Sequence, residues 1–147
     1  ILYYSRYVNS KRVAEIIGKA LGVEVVSVDD RNNYNGVFGY LKGGFYASRW
    51  RKVDYSFDTK SSIDEYTHVY LVGPIWASRT APAIYSFLMD NELKKKSLVL
   101  TNDGTSPDKS FSKMEEKFGK FERKYAITKS KNNEDEIIKR IIQEAAW

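Results

Sequence analysis

The chain has 147 residues, with 24 Lys+Arg against 19 Asp+Glu, one histidine and no cysteine. That length fits one domain, expected to span residues 1–147, and is too short for two ordinary cores. Zero cysteines exclude disulfides, thiolate metal sites and a cysteine nucleophile, and the single His68 excludes a two-histidine zinc motif.

An apolar fraction of 42% with 14% aromatic residues argues against disorder. The net charge of +5 favours encounters with acidic partners and says nothing of fold. No run approaches ~18 apolar residues, so no membrane span is expected. No leader of the secretory kind is recognised, which makes a soluble cytoplasmic domain the expectation. The sequence opens inside an apolar run, Ile1-Leu2-Tyr3-Tyr4, so a short upstream extension is expected.

Apolar runs alternate with helix-period runs from end to end. Ile1 to Tyr4 reads as a strand. Asn9-Ser10 offers a cap before Val13, Ile16, Ile17, Ala20 and Leu21, one stripe of an amphipathic helix that Gly22 ends. Val23 to Val28 is β-branched and reads as a second strand. The long stretch Asp29 to Glu65 follows, holding Gly36, Gly39, Gly43 and Gly44 among Phe38, Tyr40, Leu41, Phe45 and Tyr46. Val37 to Trp50 within it reads as an irregular, aromatic-rich helix.

Thr67 to Val72 carries the strongest buried-strand signal. Helix is predicted from Pro82 to Asn91, with Ile84, Phe87 and Leu88 on one face, then strand from Ser97 to Thr101. Ser106-Pro107 gives an N-cap and a proline at the first helical position, ahead of Phe111, Met114 and Phe118. Tyr125 to Thr128 is a short last strand. Asn132 or Asn133 then caps a helix carrying Ile137, Ile138, Ile141 and Ile142. Five apolar strands alternating with helices predict an open α/β domain, a parallel sheet covered on both faces.

In such sheets ligands bind beyond the carboxyl ends of the strands, where strand order reverses. After the first strand comes Ser5-Arg6-Tyr7-Val8-Asn9-Ser10, a strand-to-helix turn. Its helix N-terminus is an anion site in principle, and in the plainer reading Asn9 or Ser10 only caps the helix. It lacks the glycines and lysine of a P-loop and is not GxGxxG.

After the third strand, Gly73-Pro74 reads as a turn that sets Ile75, Trp76 and Ala77 at the ligand end. Trp76 there either stacks on a planar ligand or packs on the protein's own loops. After the fourth, Thr101-Asn102-Asp103-Gly104-Thr105-Ser106 is a polar glycine turn, a set of donors and acceptors or an ordinary connection. His68, Asp29-Asp30, Lys94-Lys95-Lys96 and Lys129-Ser130-Lys131 read as structural or solvated. No metal site and no catalytic base is assigned.

These residues carry a likeness. The opening Ile-Leu-Tyr-Tyr-Ser-x-x-x-Asn-Ser-x-x-Val-Ala-x-x-Ile is similar to the flavodoxin phosphate loop and its helix. Val-Gly-Pro-Ile-Trp-Ala-x-x-x-Ala-Pro-Ala-Ile is similar to the second flavin loop. The chain resembles flavodoxin over nearly its whole length. The resemblance implies a flavodoxin-like five-stranded parallel sheet of order 2-1-3-4-5 and noncovalent FMN at the ends of strands one, three and four.

It implies that Ser5, Arg6, Tyr7, Asn9 and Ser10 hold the phosphate, with Tyr7 and Val8 contributing backbone. Trp76 with Pro74, Ile75 and Ala77 would flank the isoalloxazine, and Asn102, Asp103 and Gly104 would edge its pyrimidine side. The short interval from Thr101 to Tyr125 is similar to short-chain flavodoxins. The chain departs from the family at Tyr7-Val8, where Thr-Gly is usual, at Ser10, where threonine is usual, and in its positive charge. Valine disfavours positive φ, so the departure predicts a differently shaped loop and a weaker hold on FMN.

The function implied is electron transfer, by a one-electron carrier or a small flavin reductase linked to a redox partner protein, NAD(P)H or a quinone. The competing expectation is a flavodoxin-like domain with weak or no flavin binding that acts as an interaction module. Nucleic acid is a third and disfavoured partner. It would use the rings and cations from Tyr40 to Lys52, where Lys42, Arg49, Arg51 and Lys52 read equally as the solvated side of a helix and its exit.

Overall fold

The computed structural model describes residues 1–5, 9–32 and 34–145. In chain order these form β1 (Leu2–Tyr3), α1 (Asn9–Leu21), β2 (Val26–Ser27), β3 (Asp29–Asp30), α2 (Gly36–Ser48), β4 (Tyr55–Ser56) and β5 (Val69–Trp76). Then come β6 (Arg79–Thr80), α3 (Pro82–Asp90), β7 (Lys96–Asn102), α4 (Asp108–Phe118), β8 (Lys124–Thr128) and α5 (Glu134–Ala145). Five parallel strands make the main sheet in the order β2-β1-β5-β7-β8. Numbered along the chain, that is the expected 2-1-3-4-5 sheet. Two short antiparallel pairs accompany it, β5 with β6 and β3 with β4.

The central strands read as apolar runs because both their faces are covered. In β5, Val69 and Leu71 enter one core while Tyr70 and Val72 enter the other; in β7, Leu98 and Leu100 are opposed to Val99 in the same way. One core is closed by α3 and α4 through Ile84, Phe87 and Met114, the other by α1 and α5 through Val13, Ile17, Ile138 and Ile141. Each such fully buried aliphatic side chain contributes about 1.5–3 kcal/mol. Helix α3 is buried from Pro82 through Leu88 on all sides, not on one face.

Other boundaries also differ in detail. Ile16 and Ala20 are exposed, and the buried stripe of α1 runs instead through Val13, Ala14, Ile17 and Gly18. Gly18 faces inward because a Cβ there would stand 2.1 Å from Val25 Cγ2. Pro107 takes helical dihedrals (φ −81°, ψ −11°) just ahead of α4, one residue from the predicted start. Asn133 precedes α5, and its side chain accepts from Thr128 N–H at 2.9 Å, which ties the helix to the end of β8.

The connection from Arg49 to Tyr66 is fastened by side chains more than by ladders. The Tyr85 hydroxyl reaches the carbonyl oxygens of Tyr46 and Arg51, Val53 N–H donates to Ser86 Oγ at 3.0 Å, and Tyr55 donates to Asp90 at 2.6 Å. Burial and then the Asp90 carboxylate push the Tyr55 phenol up to about 12.

His68 lies at the amino end of the sheet, remote from the ligand end. Its Nε2 stands 2.7 Å from the buried Ser97 Oγ, its ring stacks on Tyr70 at 4.6 Å, and burial pushes its pKa below the ordinary value. A folded state that disfavours imidazolium is stabilised above the unfolded pKa and loses that stability as pH falls through the folded one. The melting temperature is therefore expected to drop as pH falls from about 7.5 to about 5.5, and His68→Gln should flatten the curve across that window. A variant that keeps the full slope in thermal melts would assign it to other groups.

Candidate functional site

The carboxyl ends of β1, β5 and β7 bring the three expected loops together, and Thr101 is where they meet. Thr101 Oγ1 lies 3.0 Å from Ser10 Oγ in a buried contact between the end of β7 and the first turn of α1. Thr101 is also the register partner of Pro74 across the β5–β7 ladder. The first, second and third loops are thus joined through one residue, which the sequence reading set at the head of the third loop.

In the first loop, Ser5 is half-buried and Tyr4 N–H donates to Val72 C=O at 3.0 Å. The Asn9 side chain, exposed, accepts from Arg12 at 3.3 Å, and Arg12 in turn pairs with Glu134 on α5. The hydroxyl of Ser10 is turned inward on Thr101, and the first turn of α1 offers an anion its backbone N–H groups. Arg6, Tyr7 and Val8 lie outside the described residues.

The second loop differs from its expected shape. Gly73 and Pro74 do not turn the chain; β5 runs through both and ends at Trp76. Strand β1 pairs with β5 only at Leu71 and Val72, so Pro74 falls beyond the reach of that neighbour, where a missing N–H costs little. The turn comes later, at Ala77 and Ser78, with Ile75 opposite Thr80 and Trp76 opposite Arg79. Both turn residues hold positive φ, 48° and 62°, the two-residue hairpin geometry that asparagine and glycine adopt without strain.

Ala77→Asn with Ser78→Gly is therefore expected to raise stability by about 1 kcal/mol. Urea denaturation would read this as a higher midpoint at unchanged slope. An unchanged midpoint would mean the strain is relieved elsewhere.

Trp76 is half-buried and held by edges. Tyr4 and Tyr34 meet its ring at centroid distances of 5.7 and 5.0 Å, interplanar angles 90° and 77°. On a third side Gly43 of α2 approaches so closely that a Cβ would stand 2.8 Å from Trp76 Cζ3. Tyr34 is itself fixed by donating to Asp30 at 2.6 Å, and burial, reinforced by that carboxylate, drives its phenol pKa far upward. It stays a neutral donor over the working pH range. Ile75 packs against the core and Ala77 stands exposed in the turn.

In the third loop, Asn102 Nδ2 donates to Thr128 Oγ1 at 3.2 Å, while Asn102 Oδ1 is buried without a partner. Asp103 C=O accepts from Ser130 N–H at 2.9 Å, and Gly104 lies against the Ser130 side chain. The turn Lys129–Lys131 is exposed, as the sequence reading has it, and touches this loop through Ser130. The same rule that marked the other strand ends applies to the exit of β8 and could have found it.

Two hollows open at this end. One, of ≈ 370 Å³, lies at the exits of β1 and β2 and is lined by Tyr4, Ser5, Asp30, Asn32 and Tyr34 among others. The other, of ≈ 390 Å³, runs between the outer side of α2 and Ile75, Trp76 and Ala77. Neither includes Asn102, Asp103 or Gly104. Tyr34 and Ser130 are the residues that sequence reasoning did not place at the site, and it gave Thr101 no bond to Ser10, because each role depends on a partner distant in the chain.

No protein-family model matches the sequence, and no curated protein matches it. Crystal structures that share the fold include three flavoproteins. A provisionally described flavoprotein from Bacteroides eggerthii superposes with a TM-score of 0.74 at 20% identity, covering 99% of this chain and 96% of its own. A flavoprotein in complex with FMN from Lactobacillus acidophilus gives 0.70 at 18% identity, covering 92% and 95%. A provisionally described flavoprotein from Bacteroides uniformis gives 0.72 at 16% identity, covering 97% and 95%. The five-stranded α/β architecture of this chain is the one these flavoproteins have.

Proposed function

We propose that the chain is an FMN-binding redox protein that transfers electrons, as a one-electron carrier or as a small flavin reductase served by a partner protein, NAD(P)H or a quinone. The observation that carries this reading is the meeting of three strand-end loops at Thr101 with the buried, unbonded Asn102 Oδ1 beside them. The likeness in fold to flavoproteins, one of them in complex with FMN, supports it.

The residues present fit such a group. Asn102 Oδ1 is an acceptor in want of a donor, and a flavin carries an N–H on its pyrimidine edge and hydroxyls on its ribityl chain. The first turn of α1 supplies N–H groups and a positive dipole end for a phosphate. Trp76, braced by Tyr4, Tyr34 and Gly43, supplies a ring that need not reorganise to pack against a planar ligand. FMN bound there would supply one- and two-electron chemistry, while the chain supplies position and dielectric. Electron transfer asks no residue to act as base, and none is assigned.

A visible absorption spectrum, taken before and after adding FMN and desalting, tests the proposal. Bands near roughly 375 and 450 nm that stay with the protein are expected. A protein that remains colourless supports the second reading, an interaction module on a flavodoxin-like fold. That reading draws on Tyr7-Val8 and on the Ser10 hydroxyl being already engaged by Thr101.

A further inference from the structure

Helix α2 is built inside out. Its inward stripe is Gly39, Gly43 and Ala47, all buried, spaced four apart so that they share one side. Its large apolar residues point the other way: Val37 is 74% exposed, Phe38 89%, Tyr40 68%, Leu41 59% and Phe45 53%. No other element among the described residues shows so many. The ≈ 390 Å³ hollow alongside, lined by Tyr40, Leu41, Phe45 and Trp76, contains no charged residue.

The sequence from residue 31 to residue 53 holds Arg31, Lys42, Arg49, Arg51 and Lys52 and not one Asp or Glu. Lys52 is neutralised by Asp90. Arg49 and Arg51 are exposed beside rings, their guanidinium carbons 5.0 Å from the Phe45 ring centre and 4.5 Å from that of Tyr46. An apolar ridge bordered by cations without acids is the chemistry of a helix that lies in the headgroup layer of an anionic bilayer. We propose that the outer side of α2 docks this protein on a membrane surface carrying anionic lipid. Phe38, Leu41 and Phe45 would enter the acyl boundary, and Arg49 and Arg51 would meet the phosphates.

Charge decides against the other occupants. A second copy would set Arg49 and Lys42 against their own equivalents with no carboxylate on the helix to answer them. A folded acidic partner would bring polar groups, about one hydrogen bond per 100–200 Å² of interface. Val37, Phe38, Leu41 and Phe45 have nothing to offer in return. Single-stranded nucleic acid wants an unbroken series of stacking faces, but aliphatic Val37 and Leu41 interrupt the rings of the ridge. No helix among the described residues is long and apolar enough to cross a bilayer, so the contact is peripheral.

Flotation with large vesicles tests this and needs no flavin. The full chain is expected to float with phosphatidylcholine–phosphatidylglycerol vesicles, far less with phosphatidylcholine alone, and less again as salt is raised. Phe38→Ser combined with Phe45→Ser should lower the partition coefficient about tenfold or more, since both rings are exposed and their loss leaves the core intact. Arg49→Glu with Arg51→Glu should abolish the preference for phosphatidylglycerol.

Far-UV circular dichroism checks that each variant keeps its helices. Failure of the parent chain to float at low salt overturns the proposal. So does equal binding to neutral vesicles. A dimeric mass in light scattering that the phenylalanine variant abolishes assigns the ridge to a second copy and overturns it too.

Discussion

Gly39→Ala is expected to destabilise the protein by about 3 kcal/mol, the upper part of the overpacking range, and to lower the melting temperature by about 10 °C. On propensity alone the change should help, because alanine in a helix is favoured over glycine by about 1 kcal/mol. The sign is reversed by what lies opposite. A Cβ at Gly39 would stand 2.0 Å from the carbonyl carbon and 2.2 Å from the carbonyl oxygen of Tyr34, and backbone cannot swing aside as a side-chain tip can.

The control lies on the same helix. Gly44 has nothing within 4 Å of its would-be Cβ and no positive φ. Gly44→Ala should therefore gain about 0.5–1 kcal/mol. Thermal melts of the two variants side by side give the check. If Gly39→Ala matched Gly44→Ala, α2 would not rest on the Tyr34 backbone.

Trp76→Ala is expected to weaken FMN binding by about 1–2 kcal/mol, roughly tenfold in Kd, through lost ring contact and area. It should also cost about 2–3 kcal/mol of stability, less than a fully buried tryptophan because the ring is half-exposed. The two losses have different sources. Stability depends on the edges that Tyr4, Tyr34 and Gly43 fill, whereas the proposed flavin contact would use the ring surface left over. Trp76→Phe, which keeps a ring, should recover most of the affinity and only part of the stability. Fluorescence titration with FMN and urea unfolding separate the two. An unchanged Kd for Trp76→Ala would remove Trp76 from the site.

A parallel sheet with helices on both faces was legible in the sequence because β5 and β7 are long apolar runs and the helices between strands keep a clean period; its order was implied by the resemblance to flavodoxin alone. Helix α2 was legible too, despite four glycines, but its orientation was not. Hydrophobic periodicity assumes that large apolar residues face inward, and here Phe38, Leu41 and Phe45 face out while Gly39 and Gly43 face in. Gly73-Pro74 misled for a local reason: the pair is a turn signal in isolation. It stays extended because β7 pairs along β5 as far as Pro74 and the hairpin follows directly.

The pairing of Asp29–Asp30 with Tyr55–Ser56 involves two residues on each side, too few for any period to register. Within the site, the loops could be located from the strand ends alone. That Thr101 binds them, that Tyr34 braces Trp76 and that Ser130 underlies Asp103 and Gly104 are facts about pairs far apart in the chain, which a single sequence does not encode locally.

The Ser10–Thr101 contact has a property that distance alone does not convey. Two hydroxyls share one hydrogen bond, either oxygen able to donate, so the pair always holds one hydrogen in reserve. If Ser10 donates, the hydrogen of Thr101 is left over, and if Thr101 donates, that of Ser10 is. Whichever hydroxyl donates, the bond joins the start of α1 to the end of β7 across 91 residues of chain, so the anchor does not depend on the orientation of its hydrogens.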